Sequence, residues 1–347
     1  MSEGLSRRHF LRHGLCGAGL PWLPVAAAGA EREFHILMIT FRGETEVEQG
    51  FREQLAQAGL RVRYTVRDVA QDIGRVPAIL DEARALKPDL IYTWGTPVTL
   101  AVVGAYDDPD PRRFIRDIPV VFALVAAPQR SRIVPRLESP GGNVTGAVHV
   151  VPFDVQLRVM QRYRPLKKLG VLYNGAETNS RVIVEDARAV CQAQGLGLVV
   201  RTFHTSGQGQ PVAEGVEQLI GQIHAEGAQW LYLLPDTFLG SLYGRVIPAA
   251  LQLRLPSFGA AELAVRAGGA LVGLVSRYHS VGQLAGAKAL EILAGGKAPG
   301  QLPVETLRRF SLLVNMRVAH SLRMYPPIDM LNYAEVIAMG DAPRVGA

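Results

Sequence analysis

Cysteine is scarce in this chain of 347 residues: Cys16 and Cys191 are the only two. One bridge is the most they can make, which excludes a small fold stapled by disulfides. Lysine is scarce too, with five residues among the 37 basic ones. The formal charge is +6 and the pI near 9.5. Arg7, Arg8 and Arg12 against Glu3 carry +2 of this, and the remaining +4 is spread over both halves. No dense basic stripe interleaved with aromatics is present, so a nucleic-acid partner is not expected. No run reaches the ~20 uninterrupted apolar residues of a membrane-spanning helix. The residues after the first thirty contain no Gly-x-Ser-x-Gly elbow, phosphate-binding loop or dinucleotide fingerprint. Of the eight histidines, the six after the first thirty residues are scattered, with none at ligand spacing to another or to Cys191, so neither a metal nor a cofactor is implied and no enzyme is read.

What is present is a globular composition, 48% hydrophobic and 20% charged, with glycine at 36 residues. That glycine content exceeds the usual ~7% and suits a fold with many tight strand-to-helix turns. The N-terminus reads as an address. Ser6-Arg7-Arg8-His9-Phe10-Leu11-Arg12 precedes a modestly apolar stretch, Gly14 to Val25, and then Ala26-Ala27-Ala28-Gly29-Ala30. This is the order of a secretory signal, and the paired arginines resemble the twin-arginine export pattern. The expectation is a signal peptide over residues 1–30, cleaved after Ala30, with the periplasm as destination. Leu15 before Cys16 does not suit lipid attachment, and Cys191 is left without a partner.

Beyond the signal, short β-rich runs alternate with amphipathic stretches, the pattern of parallel sheets covered by helices. Strands are expected at Phe34–Thr40, Arg61–Val66, Leu90–Trp94 and Pro119–Val125, with helices at Glu44–Ala58, Val76–Leu86 and Pro97–Tyr106 between them. A Gly-rich joint, Ser139 to Gly146, interrupts this grammar before it begins again. Helices are then expected at Phe153–Tyr163, Ser180–Gln194 and Val212–Glu226, and strands at Lys168–Tyr173, Leu198–Phe203 and Trp230–Leu234. A strand at Ala270–Ser276, a helix at Val281–Leu293 and a strand at Phe310–Asn315 complete the α/β reading.

Several segments taken together resemble the substrate-binding proteins of bacterial ABC transporters, in the group that includes proposed tryptophan and tyrosine carriers. They are Lys87-Pro88-Asp89-Leu90-Ile91 with Gly95-Thr96-Pro97, Asp117-Ile118-Pro119-Val120-Val121-Phe122, and Pro140-Gly141-Gly142-Asn143-Val144-Thr145-Gly146. Further along are Leu169-Gly170-Val171-Leu172-Tyr173-Asn174 with Glu177, Asn179 and Ser180, then Leu234-Pro235-Asp236, Tyr278 with Gly282, Gly286 and Ala287, and finally Asn315. The resemblance implies a type I periplasmic-binding-protein fold, two Rossmann-like parallel-sheet lobes joined by a multi-strand hinge. Residues 31–147 plus 277–305 would form the N-terminal lobe, and 148–276 plus 306–347 the C-terminal one. It implies a monomer that captures a small polar or amphipathic solute, such as an amino acid, and delivers it to an ABC permease and its ATPase. A periplasmic ligand sensor for a signalling partner is the alternative. This chain departs from the pattern at Ala126-Ala127-Pro128, where much of the group has an aspartate, and in its charged loop Phe41 to Glu46.

In parallel α/β lobes a ligand lies beyond the carboxyl ends of the strands, near helix N-termini. Those ends supply Thr40, Arg42, Gly95 and Thr96 from the first half, and Asn174, Glu177, Asn179, Ser180, Asp236 and Phe238 from the second, with Tyr278 as a wall. Gly95-Thr96 reads as a carboxylate cradle or as a helix cap ahead of Pro97, and Asn179-Ser180 offers the same choice. Asp236 either pairs with a ligand ammonium or caps the helix that follows. Arg42 reads as a partner for a second carboxylate or as surface. Glu262 is a weaker acidic candidate, and Phe41 and Trp94 are further aromatic ones.

Overall fold

The computed structural model describes residues 32–337, so the expected signal peptide and its cleavage after Ala30 lie outside the described residues. In chain order the first half comprises β1 (Phe34–Thr40), α1 (Glu46–Gln57), β2 (Val62–Asp68), α2 (Val76–Leu86), β3 (Leu90–Trp94), α3 (Gly95–Val103), β4 (Val120–Val125) and β5 (Val144–Val148). A second run follows: α4 (Phe153–Tyr163), β6 (Lys168–Tyr173), α5 (Thr178–Ala193), β7 (Gly197–Thr202), α6 (Val216–Ala225), β8 (Trp230–Leu233), α7 (Thr237–Ser241), α8 (Tyr243–Gln252), β9 (Ser257–Gly259), α9 (Glu262–Arg266) and β10 (Val272–Val275). The chain then makes α10 (Tyr278–Leu293), β11 (Glu305–Thr306), β12 (Ser311–Asn315), α11 (Met316–Leu322), α12 (Ile328–Leu331) and β13 (Ala334–Ile337).

The strands form two sheets. One has the order β11-β5-β4-β3-β1-β2 and is parallel throughout. The other has the order β13-β12-β10-β9-β8-β6-β7, parallel except where β12 runs against β10. Each sheet carries its own apolar core. The chain passes between them three times, after β5, after β10 and after β11. Strands β3 and β4 are buried along their whole length, which explains their unbroken apolar sequences.

Several expectations are corrected. The Gly-rich joint contains β5, which pairs with β4 from Val120–Val144 onward. Gly146 is needed there, because a Cβ would stand 2.2 Å from the Phe122 carbonyl oxygen. The third helix begins at Gly95 and stops at Val103, with Gly104 at φ +64 turning the chain out. Helix α6 begins at Val216 rather than Val212, after Gly215 in the left-handed region. Strands β9 and β13 have no counterpart in the sequence pattern, since runs of three and four residues carry too little periodicity to read.

Helix α10 enters from the second sheet and packs on α1 of the first with its backbone nearly touching. A Cβ on Gly282 would lie 1.9 Å from the Val47 carbonyl oxygen, and one on Gly50 2.1 Å from that of His279. Helix α1 is itself fixed by a capping box, in which Glu48 accepts from the Thr45 N–H (2.7 Å) and Val47 N–H donates to the Thr45 hydroxyl (3.3 Å). Glu48 also accepts from the buried Tyr92 hydroxyl at 2.6 Å, tying the cap to β3.

On the far side, Arg130, in the segment after β4, reaches Glu185 at 2.6 Å and also pairs with Asp186, both on α5. Among the described residues this is the one ion-paired group that joins the β1–β5 region to the β6–β10 region. Overpacking a backbone-to-backbone contact costs ~1–3 kcal/mol. Gly282→Ala is therefore expected to lower the melting temperature by several degrees, measured by calorimetry, whereas Gly221→Ala, where nothing lies within 4 Å of the new methyl, is expected to leave it unchanged or higher.

Candidate functional site

A cavity of about 460 Å³, its open mouth included, lies between the carboxyl ends of the two sheets. From the first half it is lined by Arg42, Trp94, Gly95, Thr96, Leu124 and Ala126, and from the crossings by His149 and Tyr278. The second half contributes Glu177, Asn179, Pro235, Asp236, Thr237, Gly240, Tyr243, Ala261 and Leu263.

Trp94, a further aromatic candidate of the sequence reading, lines this cavity, as do seven of its eleven principal candidates: Arg42, Gly95, Thr96, Glu177, Asn179, Asp236 and Tyr278. The other four do not. Thr40 is buried behind it with its hydroxyl on Asp68 (3.3 Å). Asn174 uses its backbone N–H on Asp236 (2.6 Å) and its side-chain oxygen on the Ala176 N–H (3.0 Å). Ser180 is fully buried. Phe238 packs edge-on against Phe203 at 4.9 Å in the second core. Glu262 is also off the wall: it accepts from Arg266 (2.7 Å), Arg277 (3.0 Å) and the Tyr278 N–H (2.6 Å), holding the start of α10 in place.

The open alternatives resolve into geometry. Trp94, not Thr96, occupies the N-cap of α3, no N-cap side chain bonds the first N–H groups of that helix, and its first two residues, Gly95 and Thr96, line the cavity. The Thr96 hydroxyl accepts from the Ala126 N–H (3.2 Å), pinning the loop after β4. Asp236 does cap α7, accepting from Leu239 N–H (2.8 Å) with one oxygen and from Asn174 N–H (2.6 Å) with the other. Glu177 lies beside it and accepts from the Thr237 N–H (2.9 Å) and hydroxyl (2.5 Å) and from the Asn179 amide (2.9 Å).

Burial, and then the neighbouring Asp236 carboxyl, push Glu177 up to about 8; burial also raises Asp236. Two carboxyls packed together out of water cannot both hold a negative charge cheaply.

Across the cavity the Arg42 guanidinium sits 4.9 Å from the Trp94 ring centre, and its charge opposes the upward push of burial on the Tyr278 hydroxyl. Among the described residues no carboxylate stands within ion-pair distance of it. It also reaches the second half, because a Cβ on Gly240 would meet it at 3.4 Å. Phe41 backs the wall, stacked on Trp94 at 5.8 Å. Among the described residues no cluster of three or more His, Cys, Asp or Glu is placed to hold a metal ion.

Sequence reasoning missed His149, Tyr243 and Leu124. No local pattern marks them, since each becomes a wall only through the way the sheets are juxtaposed.

The model of the ABC transporter substrate binding protein family matches residues 36–337. The chain belongs to this family. A tyrosine-binding protein of Clostridioides difficile (strain R20291) is 28% identical over 284 residues, 80% of this chain and 77% of that one. A conserved domain protein from Vibrio cholerae superposes with a TM-score of 0.76 at 25% identity, covering 87% of this chain and 99% of that one. An ABC domain in complex with L-Trp from Streptococcus pneumonia gives 0.76 at 21% identity, covering 88% and 100%. The fold is that of the type I periplasmic binding proteins, and members of the family bind solutes for ABC transport rather than catalyse reactions.

The raised Glu177 carboxyl makes the native state bind more protons than the unfolded chain between pH ~4.5 and about 8. Its contribution to stability is therefore full below that window and is lost as pH rises through it. Glu177→Gln is expected to flatten the fall in melting temperature between pH 5 and 9 by on the order of 2–5 °C, read in a pH series of thermal melts against the parent protein.

Proposed function

We propose that the protein is a periplasmic solute-binding protein, acting as a monomer, that closes its two lobes on an amino acid and delivers it to an ABC permease and its ATPase. The observation that carries this reading is a set of buried polar atoms on the cavity wall that find no partner within the protein: Trp94 Nε1, His149 Nδ1 and Asn179 Oδ1. An unpaired buried polar group costs ~1–3 kcal/mol, which a ligand can relieve.

The charges sort by lobe in a way that suits a zwitterion. Arg42 and the uncapped N-terminus of α3 favour a carboxylate on one side. Glu177 and Asp236 on the other favour an ammonium, whose arrival would draw the proton off Glu177. Trp94, Tyr243 and Tyr278 leave an aromatic wall between these ends. The named relatives support the same class: one is a tyrosine-binding protein and one was solved with L-Trp.

The three crossings would form the hinge, and the pairing of Arg130 with Glu185 and Asp186 of α5 would act as a latch outside the cavity. The twin-arginine route is the proposed means of export.

A thermal-shift screen of the purified protein against amino acids, short peptides, nucleosides and carboxylates tests the reading, because a ligand that binds only the folded state raises the melting temperature. At least one amino acid is expected to give a clear positive shift; a screen in which none does sinks the proposal. Arg42→Met is expected to weaken that amino acid about 10- to 100-fold by calorimetry, the loss of a charge-assisted bond. Arg130→Met, which leaves the wall untouched, is expected to weaken it about two- to fivefold, with the difference fading as salt is raised.

A further inference from the structure

His149 lies at the first crossing between the sheets, just past the end of β5, and is 6% exposed. Its ring meets Tyr278 edge-on at 6.5 Å, and it lines the cavity. The strand beside it is distorted at the matching place. The register of β4 against β5 shifts between Ala123 and Val125, leaving Leu124 as the extra residue with φ +57. A left-handed conformation is costly for leucine and is kept only where the surroundings enforce it. The bulge puts Leu124 on the cavity wall, and beside it His149 Nδ1 is buried with no partner in the protein. Burial drives the imidazole down to about 4, so the ring is uncharged at neutral pH. A neutral imidazole has one donor and one acceptor. In the tautomer protonated at Nε2, the unpartnered Nδ1 offers the wall a lone pair.

We infer that His149 is a specificity-determining residue whose lone pair accepts a hydrogen bond from an N–H or O–H on the side chain of the bound amino acid. This rests on the amino-acid reading given above. The ligand's carboxylate and ammonium have their own counterparts in Arg42 and the Glu177–Asp236 pair, so the acceptor on the aromatic side of the cavity is left for the side chain. A solute of the same shape that lacks the donor strands the buried acceptor and is rejected.

Two matched pairs test it by calorimetry on the purified protein: L-tyrosine against L-phenylalanine, and L-tryptophan against its benzothienyl analogue. The donor-bearing member of at least one pair is expected to bind about 10- to 100-fold more tightly. In His149→Leu that preference is expected to collapse through loss of the donor-bearing ligand, while the donorless partner changes little. His149→Gln, which keeps an acceptor and a donor, is expected to restore part of it. Nitrogen NMR of the histidine-labelled parent protein reads the ring directly and does not depend on a variant folding: a neutral single tautomer is expected before ligand is added, and a shift of its lone-pair nitrogen afterwards.

No preference within either pair, a preference that survives in His149→Leu, or an imidazolium at neutral pH each overturns the assignment. Equal loss of both members of a pair also does so, because it would place His149 on the part they share. Failure of all four probes overturns it as well, whereas the amino-acid reading falls only if the wider thermal-shift screen is also blank.

Discussion

The arrangement of this molecule depends on the contact of α1 with α10. Helix α10 follows β10 of the second sheet, yet its apolar face belongs to the first core, through Val281, Ala285 and Ala289. It can reach that core only because Gly50, Gly282 and Gly286 remove the side chains that would hold the helices apart. The close approach fixes where α10 begins, and so where Tyr278 stands in the cavity. Glu262 grips the same point from the second half through the Tyr278 N–H. A stripe of small residues thus connects core packing to the shape of a binding wall some distance from it.

The acidic residues of the cavity show how one carboxylate can be both scaffold and site. Asp236 and Glu177 terminate helices or hold their first N–H groups, so their hydrogen bonds are structural. Burial, reinforced for Glu177 by its acidic neighbour, raises both carboxyls and keeps Glu177 short of full negative charge at neutral pH. Charge of the opposite sign is kept across the cavity on Arg42, which leans on Trp94 rather than on a carboxylate. If Arg42 were close enough to neutralise the pair directly, the site would satisfy itself and have nothing left to offer a ligand. The separation costs stability in the empty protein and preserves binding energy for the solute.

Much of the fold was legible because its signals are local. Long apolar strands such as β1 and β3, and helices with a clear buried stripe such as α2 and α4, follow from periodicity, and their limits match the sequence reading. Strand β5 was hidden by the glycines around it, of which Gly146 lets Phe122 pack rather than breaking the sheet. The site was legible only where a strand tip leads straight into the cavity, as at Gly95, Thr96 and Asp236. Thr40 and Phe238 are also near strand tips but face the cores, since which side of a tip faces the opposite sheet is not encoded in the local pattern. His149 directly follows β5, the strand hidden in the sequence, so it entered no list of strand tips.

A solute-binding protein must also let go. The rim pair of Arg130 with Glu185 and Asp186 is about half exposed, and pairs of that kind contribute at most ~1 kcal/mol. A much stronger latch would populate the closed form without ligand and gain affinity only by losing the distinction between empty and loaded states. A weak latch at the rim, together with polar atoms left unpaired on the walls, assigns most of the closing free energy to the solute itself. On the proposed reading the two halves would come together firmly only when the cavity is correctly filled, and the closed shape would serve as the signal that there is cargo to deliver.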